Sequence, residues 1–305
     1  MLVYKHIPVS FLLKLNWRYL LFVVGLASLT WYLSTVLVIH NPTVLLPSVT
    51  VFGAILSIFL AFRTNEAYSR WWEARILWGQ LVNTSRSLAR ETISYLHKSN
   101  LQQPDSKEKV IQRIVYRHLA FINALRLHLR GEDGYDVELE KFLSNEELST
   151  VLEATNKPTR IVANQSKDLS EHYIDEGRNS FEFVQLNKTL NKLYDIQGGC
   201  ERIRNTVFPR MYAYYTTTFT WVFSILLIIS LVDEFEWQTM LVRMLVAYVF
   251  LVLDNLGRSL KNPFTNQFDD TPMTTLCRSI EIDLREMLGE KHDLKPLGAV
   301  NGVMN

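Results

Sequence analysis

The residues able to do acid–base or metal chemistry are scattered along this chain, and their spacing builds no catalytic centre. His118 and His128 share one stretch of helical periodicity. Ten residues apart on a helix, they sit about 80° apart round the axis and about 15 Å apart along it. That is too far to share a metal, so they read as solvated or packing histidines. Glu138, Glu140, Glu146 and Glu147 read as a solvated acidic face. Asp269 and Asp270, a few residues after Asn262-Pro263-Phe264, are the weak candidates for metal ligation, with Asn262 beside them. The same aspartates also fit the capping of a following helix. No Walker A loop, GxGxxG or HExxH is present. Cys200 and Cys277 are far apart, form no CxxC, and read as reduced, buried thiols. Lysine plus arginine number 32 against 31 acids, so net charge gives no argument for nucleic acid. The expectation is a protein that is not an enzyme and carries no cofactor.

The elements around these residues point to a membrane. The chain is organised around Val49–Trp72, read as one continuous helix. Its first half, VTVFGAILSIFLAF, is uncharged, and its second half mixes charge, aromatics and small polar residues. Ala54, Ile58 and Phe62 fall at i, i+4 and i+8 and share one face. Such a face either packs into a protein core or, with several copies around an axis, lines a hydrophobic constriction. Apolar stretches of about 20 residues, enough to cross a hydrocarbon layer of roughly 30 Å, fall at residues 17–38, 43–62, 211–232 and 240–256. A short amphipathic piece at residues 1–16 fits a membrane surface before the first span. It has no cleavable signal pattern.

Charge sets the expected orientation. Lys5, Lys14 and Arg18 flank the first span, and Arg63, Arg70 and Arg75 follow the second. No lysine or arginine lies between Ile39 and Phe62, so that connection is expected outside. Asp233, Glu234 and Glu236 make a second external turn, and both termini fall in the cytoplasm of a multi-pass inner-membrane protein. Residues 1–83 thus hold the surface piece and two spans, and residues 84–205 a cytosolic helical domain. Residues 206–256 hold two further spans, and residues 257–305 form a cytosolic tail. Within the cytosolic domain, Val110–Arg130 reads as an amphipathic helix. Ser144 precedes Glu147 by capping-box spacing, and Lys157-Pro158 reads as a break. In the tail, CRSIEIDLREML reads as a helix and the last dozen residues as disordered.

Channel, transporter, receptor and scaffold all fit four spans without a catalytic centre. The second and third spans carry no charge, which disfavours a coupled carrier. An apolar lining suits a dewetting gate.

Several motifs add a resemblance. Ile58-Phe59-Leu60-Ala61-Phe62 is followed by Arg70-Trp71-Trp72-Glu73 and Trp78-Gly79. Gly199-Cys200-Glu201-Arg202-Ile203 and Phe208-Pro209 come next. Asn262-Pro263-Phe264 with Asp269-Asp270, then Glu281-Ile282-Asp283-Leu284, complete the order. Together they resemble the bestrophin family, and the bacterial homologues in particular. The resemblance implies an all-α membrane protein with four transmembrane helices per subunit and a helical cytosolic domain. It implies a homopentamer around a central pore that passes monovalent ions, anions in the wider family or sodium and potassium as in bacterial relatives. It places the pore neck at Ala54, Ile58 and Phe62, and a cytosolic aperture at Val184 with Glu182, Phe183 and Gln185 nearby. Two departures stand out. Ala54 is small where the family usually has a large apolar residue, so Ile58 and Phe62 are left as the gate. The acidic run that binds calcium in animal members is Thr265-Asn266-Gln267-Phe268-Asp269-Asp270 here, too poor in carboxylates for tight calcium gating. The expected partners are further copies of the chain, monovalent ions and membrane lipids, with no nucleic acid. The alternative is a membrane scaffold or receptor that conducts nothing. The sign of the ion stays open, because Arg63 and Glu66 both follow the neck and pull in opposite directions.

Overall fold

The structure is a computed structural model that describes residues 9–36, 45–97, 104–171, 180–206, 209–230, 237–300 and 302–304. Among these residues the fold is all helical, apart from one isolated bridge between Val300 and Val303. The helices are α1 (Val9–Val36), α2 (Leu45–His97), α3 (Pro104–Arg130), α4 (Tyr135–Leu139) and α5 (Asn145–Leu152). They continue with α6 (Lys157–Ser170), α7 (Ser180–Asn205), α8 (Arg210–Ile229), α9 (Trp237–Ser259) and α10 (Met273–Met287). Four of them are long and apolar enough to cross a membrane: α1, α2, α8 and α9. The chain divides into two compact units, and α2 contributes to both. Phe208 and the acidic turn at Asp233, Glu234 and Glu236 lie outside the described residues.

One unit holds α1, α2 as far as Trp71, α8 and α9. α1 runs unbroken from Val9, so residues 9–16 of the piece expected to lie on the membrane surface are in the same helix as the first span, while residues 1–8 lie outside the described residues. Val23, Ala27, Ile228, Ala247 and Leu251 form one buried cluster, and Val49, Leu56, Leu60 and Phe223 another. On α8 the hydroxyls of Thr216, Thr220 and Ser224 each donate to the carbonyl four residues earlier, at 2.8 Å. An apolar setting demands this, because no water is at hand to satisfy them. Gly53 lets α2 and α8 close: a Cβ there would stand 2.7 Å from Cε2 of Phe223. Phe223 is itself buried against Phe250, with ring centroids 4.6 Å apart. Gly53→Val is therefore expected to cost about 1–3 kcal/mol through overpacking, read as a lower unfolding temperature in detergent. Phe223→Leu in the same chain should recover part of it.

The other unit holds α2 from Trp72, α3 to α7, and α10. α3, the helix expected over Val110–Arg130, is its centre: every residue from Arg117 to Leu127 is buried. The polar residues it takes inside are matched by partners. Arg117 Nε and Nη2 hold the Glu147 carboxylate at 2.6 and 3.0 Å, while its Nη1 reaches Asp168 Oδ2 at 2.6 Å. Arg126 pairs with Glu138 at 2.6 Å. Glu138 and Glu147 are thus structural ion-pair partners, and only Glu140 and Glu146 of the expected acidic face are exposed. Ser144 caps α5, accepting from Glu147 N. Lys157-Pro158 opens α6 instead of breaking the chain, with Asn156 as N-cap and proline in the first turn, where its missing N–H costs nothing. In the last dozen residues, expected to be disordered, Val300 and Val303 exchange two backbone hydrogen bonds of 3.0 Å.

His118 is fully buried in this unit, its Nε2 2.8 Å from Ser85 Oγ. Ser85 Oγ donates to Leu81 O at 2.7 Å, so the imidazole Nε2–H is the donor to Ser85. Burial pushes the His118 pKa down to about 3. A depressed histidine contributes stability above its unfolded pKa of about 6.5 and loses it as pH falls towards the folded value. From pH 7 to 4.5 the loss should reach about 2–3 kcal/mol. His118→Gln, which keeps a donor for Ser85, should flatten that part of the unfolding-versus-pH curve.

Candidate functional site

The burial pattern of α2 separates its faces. Val49, Leu56, Leu60, Arg63 and Ala67 are buried, spaced by seven, four, three and four residues. They form one stripe towards the unit's own core. At about 100° per residue, Ala54, Ile58 and Phe62 lie on the opposite side, within about 45° of the direction that points away from the core. All three are exposed on the single chain, Ile58 to 57% and Phe62 to 64%. Among the described residues nothing packs over them. The uncovered face is wider than the stripe, since Val51, Ile55 and Phe59 are exposed beside it. Gly53, on the core side, is what brings α2 against α8 and so sets which residues face away.

Charge begins one residue after Phe62, and here the structure departs from a simple solvated rim. Arg63 is 4% exposed and its guanidinium pairs with Asp254 of α9. Nη1 also donates to Thr217 Oγ1 of α8 at 3.1 Å, and Thr217 in turn donates to Asp254 Oδ1 at 3.1 Å. Arg258, one turn along α9, takes the other Asp254 oxygen. Three helices are thus tied at one point. This pairing went unread in the sequence. The available signal was an acid at the inner end of an apolar span, which must find a cation, and Arg63 stands at the equivalent end of another span.

Val184 is exposed near the start of α7. Glu182 and Phe183 are half-buried, and Gln185 turns back to the unit's interior, where its amide donates to Glu91 Oε1 at 3.0 Å. Thr189 donates to the other oxygen of the buried Glu91 at 2.7 Å. Gln185 therefore fixes α7 to α2 rather than facing outward.

The metal candidates are assigned to different units. Asn262 ends one unit, whereas Asp269 and Asp270 belong to the other. Asp270 is buried, and its Oδ2 accepts from Thr265 Oγ1 at 3.0 Å and Gln267 N at 3.1 Å. Burial raises its pKa despite those bonds. Its carboxylate closes the loop on itself and does not cap α10, whose N-cap is Pro272. Among the described residues no three His, Cys, Asp or Glu side chains are grouped to hold a metal. Cys200 and Cys277 are buried free thiols, both pushed up to about 12 by burial.

The family model for the bacterial and fungal bestrophin protein matches residues 9–286. The chain belongs to the bestrophin family. Its curated relatives include a voltage-dependent anion channel-forming protein, YneE, of Salmonella typhi, 33% identical over 278 residues, covering 91% of this chain and 86% of the relative. The protein of the same name from Escherichia coli K12 is 34% identical over 241 residues, 79% of this chain and 76% of the relative. Among solved structures, a bacterial bestrophin homologue from Klebsiella pneumoniae superposes with a TM-score of 0.81 at 27% identity, covering 90% of this chain and 99% of that one. The bestrophin resemblance read from the RWW and NPF motifs therefore holds over nearly the whole chain.

Proposed function

We propose that the chain is the subunit of a passive ion channel, a homopentamer in the bacterial inner membrane with both termini in the cytoplasm. The observation that carries this reading is the apolar stripe of α2. It stands opposite the helix's own packing face, is uncovered in the single chain and contains no charge. Five copies around an axis would close rings at Ala54, Ile58 and Phe62. Ala54 leaves its ring wide, so Ile58 and Phe62 form the working constriction, passable when wetted and closed when dry. Val184, exposed on α7, forms the second, cytosolic constriction, with Glu182 and Phe183 beside it and Gln185 as its support. The ions are monovalent. The proposal assigns no calcium site to the loop Thr265–Asp270, where Asp270 already spends an oxygen on the loop itself. The names of the relatives as channel-forming proteins support the same class of function.

The test is ion flux through purified protein in liposomes. A channel collapses an imposed salt gradient in proportion to protein content. A scaffold or receptor leaves the gradient as stable as in protein-free vesicles, and that result overturns the reading.

A further inference from the structure

Two charged residues follow the neck, and the structure treats them differently. Arg63 turns about 100° away from Phe62 into the contact between helices. There Asp254 neutralises it and Thr217 accepts a hydrogen bond from it. Asp254 in turn also holds Arg258. Arg63 thus presents no free charge to the uncovered face. Glu66 is one turn beyond Phe62 and only about 40° round the helix from it. It is exposed, and among the described residues it makes no hydrogen bond or ion pair. Its neighbours nearest the Phe62 direction, Asn65 and Ser69, are exposed and uncharged. The next cation on α2, Arg70, is half-buried and stands about 80° from Phe62.

We infer that Glu66 is the residue that sets the sign of the permeant ion, as a ring of carboxylates just inside the neck that favours cations over anions. The inference rests on the channel reading. The neck itself carries no charge and cannot choose by Coulomb attraction, so the choice falls to the first charge an ion meets beyond it. Opposing contributions from Arg63 and Glu66 would cancel if both faced the lumen. The burial of Arg63 removes one of them. A carboxylate ring within a Debye length, about 8 Å at physiological salt, raises the local cation concentration and depletes anions.

Reversal potentials in planar bilayers, with the full-length protein and a tenfold NaCl gradient, test this. The unmutated channel should prefer sodium over chloride. Glu66→Gln should lower that permeability ratio by about threefold or more, because a near-axis charge acts at short range with little screening. Glu66→Lys should invert it. Conducting Glu66→Gln and Glu66→Lys channels with unchanged reversal potentials would overturn the inference while leaving the channel reading intact, as would chloride preference in the unmutated protein. Absence of current from the unmutated protein overturns the channel reading and this inference with it.

Discussion

Phe62→Ala is expected to raise single-channel conductance about tenfold, equivalent to ~1.4 kcal/mol off the barrier for ion passage. The barrier at an apolar neck is the cost of wetting it, which falls as the ring widens. A pentamer loses five phenyl rings in one substitution. Ile58→Ala should act in the same direction with a smaller gain, since it removes less bulk one turn higher. Ala54 supplies the reciprocal: Ala54→Ile adds a third tight ring and should lower conductance. All three side chains are exposed on the subunit, so their truncation or growth leaves no cavity and no clash inside it. The unfolding temperature should therefore stay within a degree or two of the parent, an effect typical of surface substitutions. Planar-bilayer recordings and detergent melts on the same preparations check both halves. Unchanged conductance in both Phe62→Ala and Ile58→Ala would sink the gate assignment.

How much of this could be read from the residues follows from the physics of each level. Four apolar helices were legible because span length and hydropathy are local properties. So was the α5 cap, because Ser144 and Glu147 carry it within one turn. The separation of α2 into a packed and an uncovered face was half legible. The stripe Ala54, Ile58, Phe62 is a matter of spacing, but whether anything covers it depends on where α8 and α9 lie. α3 shows the same limit from the other side. Arg117, His118 and Arg126 mark it as amphipathic by type, yet all three are buried, because Glu147, Asp168, Ser85 and Glu138 arrive from elsewhere in the chain. Asp270 looked like a metal ligand or a helix cap, and it serves the six-residue loop Thr265–Asp270 instead. In each case the missing information was a long-range partner for a polar group, which residue type announces as a need without saying what meets it.

The Arg63–Asp254 pair makes the strongest case of that kind, and its energetics are asymmetric. Asp254 is held by Arg63, Arg258 and Thr217, whereas Arg63 has Asp254 as its charged partner. Asp254→Asn leaves the guanidinium of Arg63 buried without a counter-charge, and removal of one member of a buried pair costs about 3–5 kcal/mol. Arg63→Met leaves Asp254 with Arg258, whose side chain is 41% exposed and able to follow it. That substitution should cost only about 1–2 kcal/mol, near the centre of the range for single mutations. The double variant Arg63→Met with Asp254→Leu replaces the pair by apolar side chains, and it should be less destabilised than Asp254→Asn alone, since buried pairs often exchange for hydrophobic groups at little cost. Unfolding of the parent and the three variants in one detergent supplies the comparison. Equal losses from the two single variants would show that Arg258 does not share Asp254. Because Arg63 directly follows Phe62, the same pair also holds the angle at which α2 presents its neck residues. Asp254→Asn channels that still assemble should therefore open to several conductance levels where the parent opens to one, a readout that loss of stability alone would not produce.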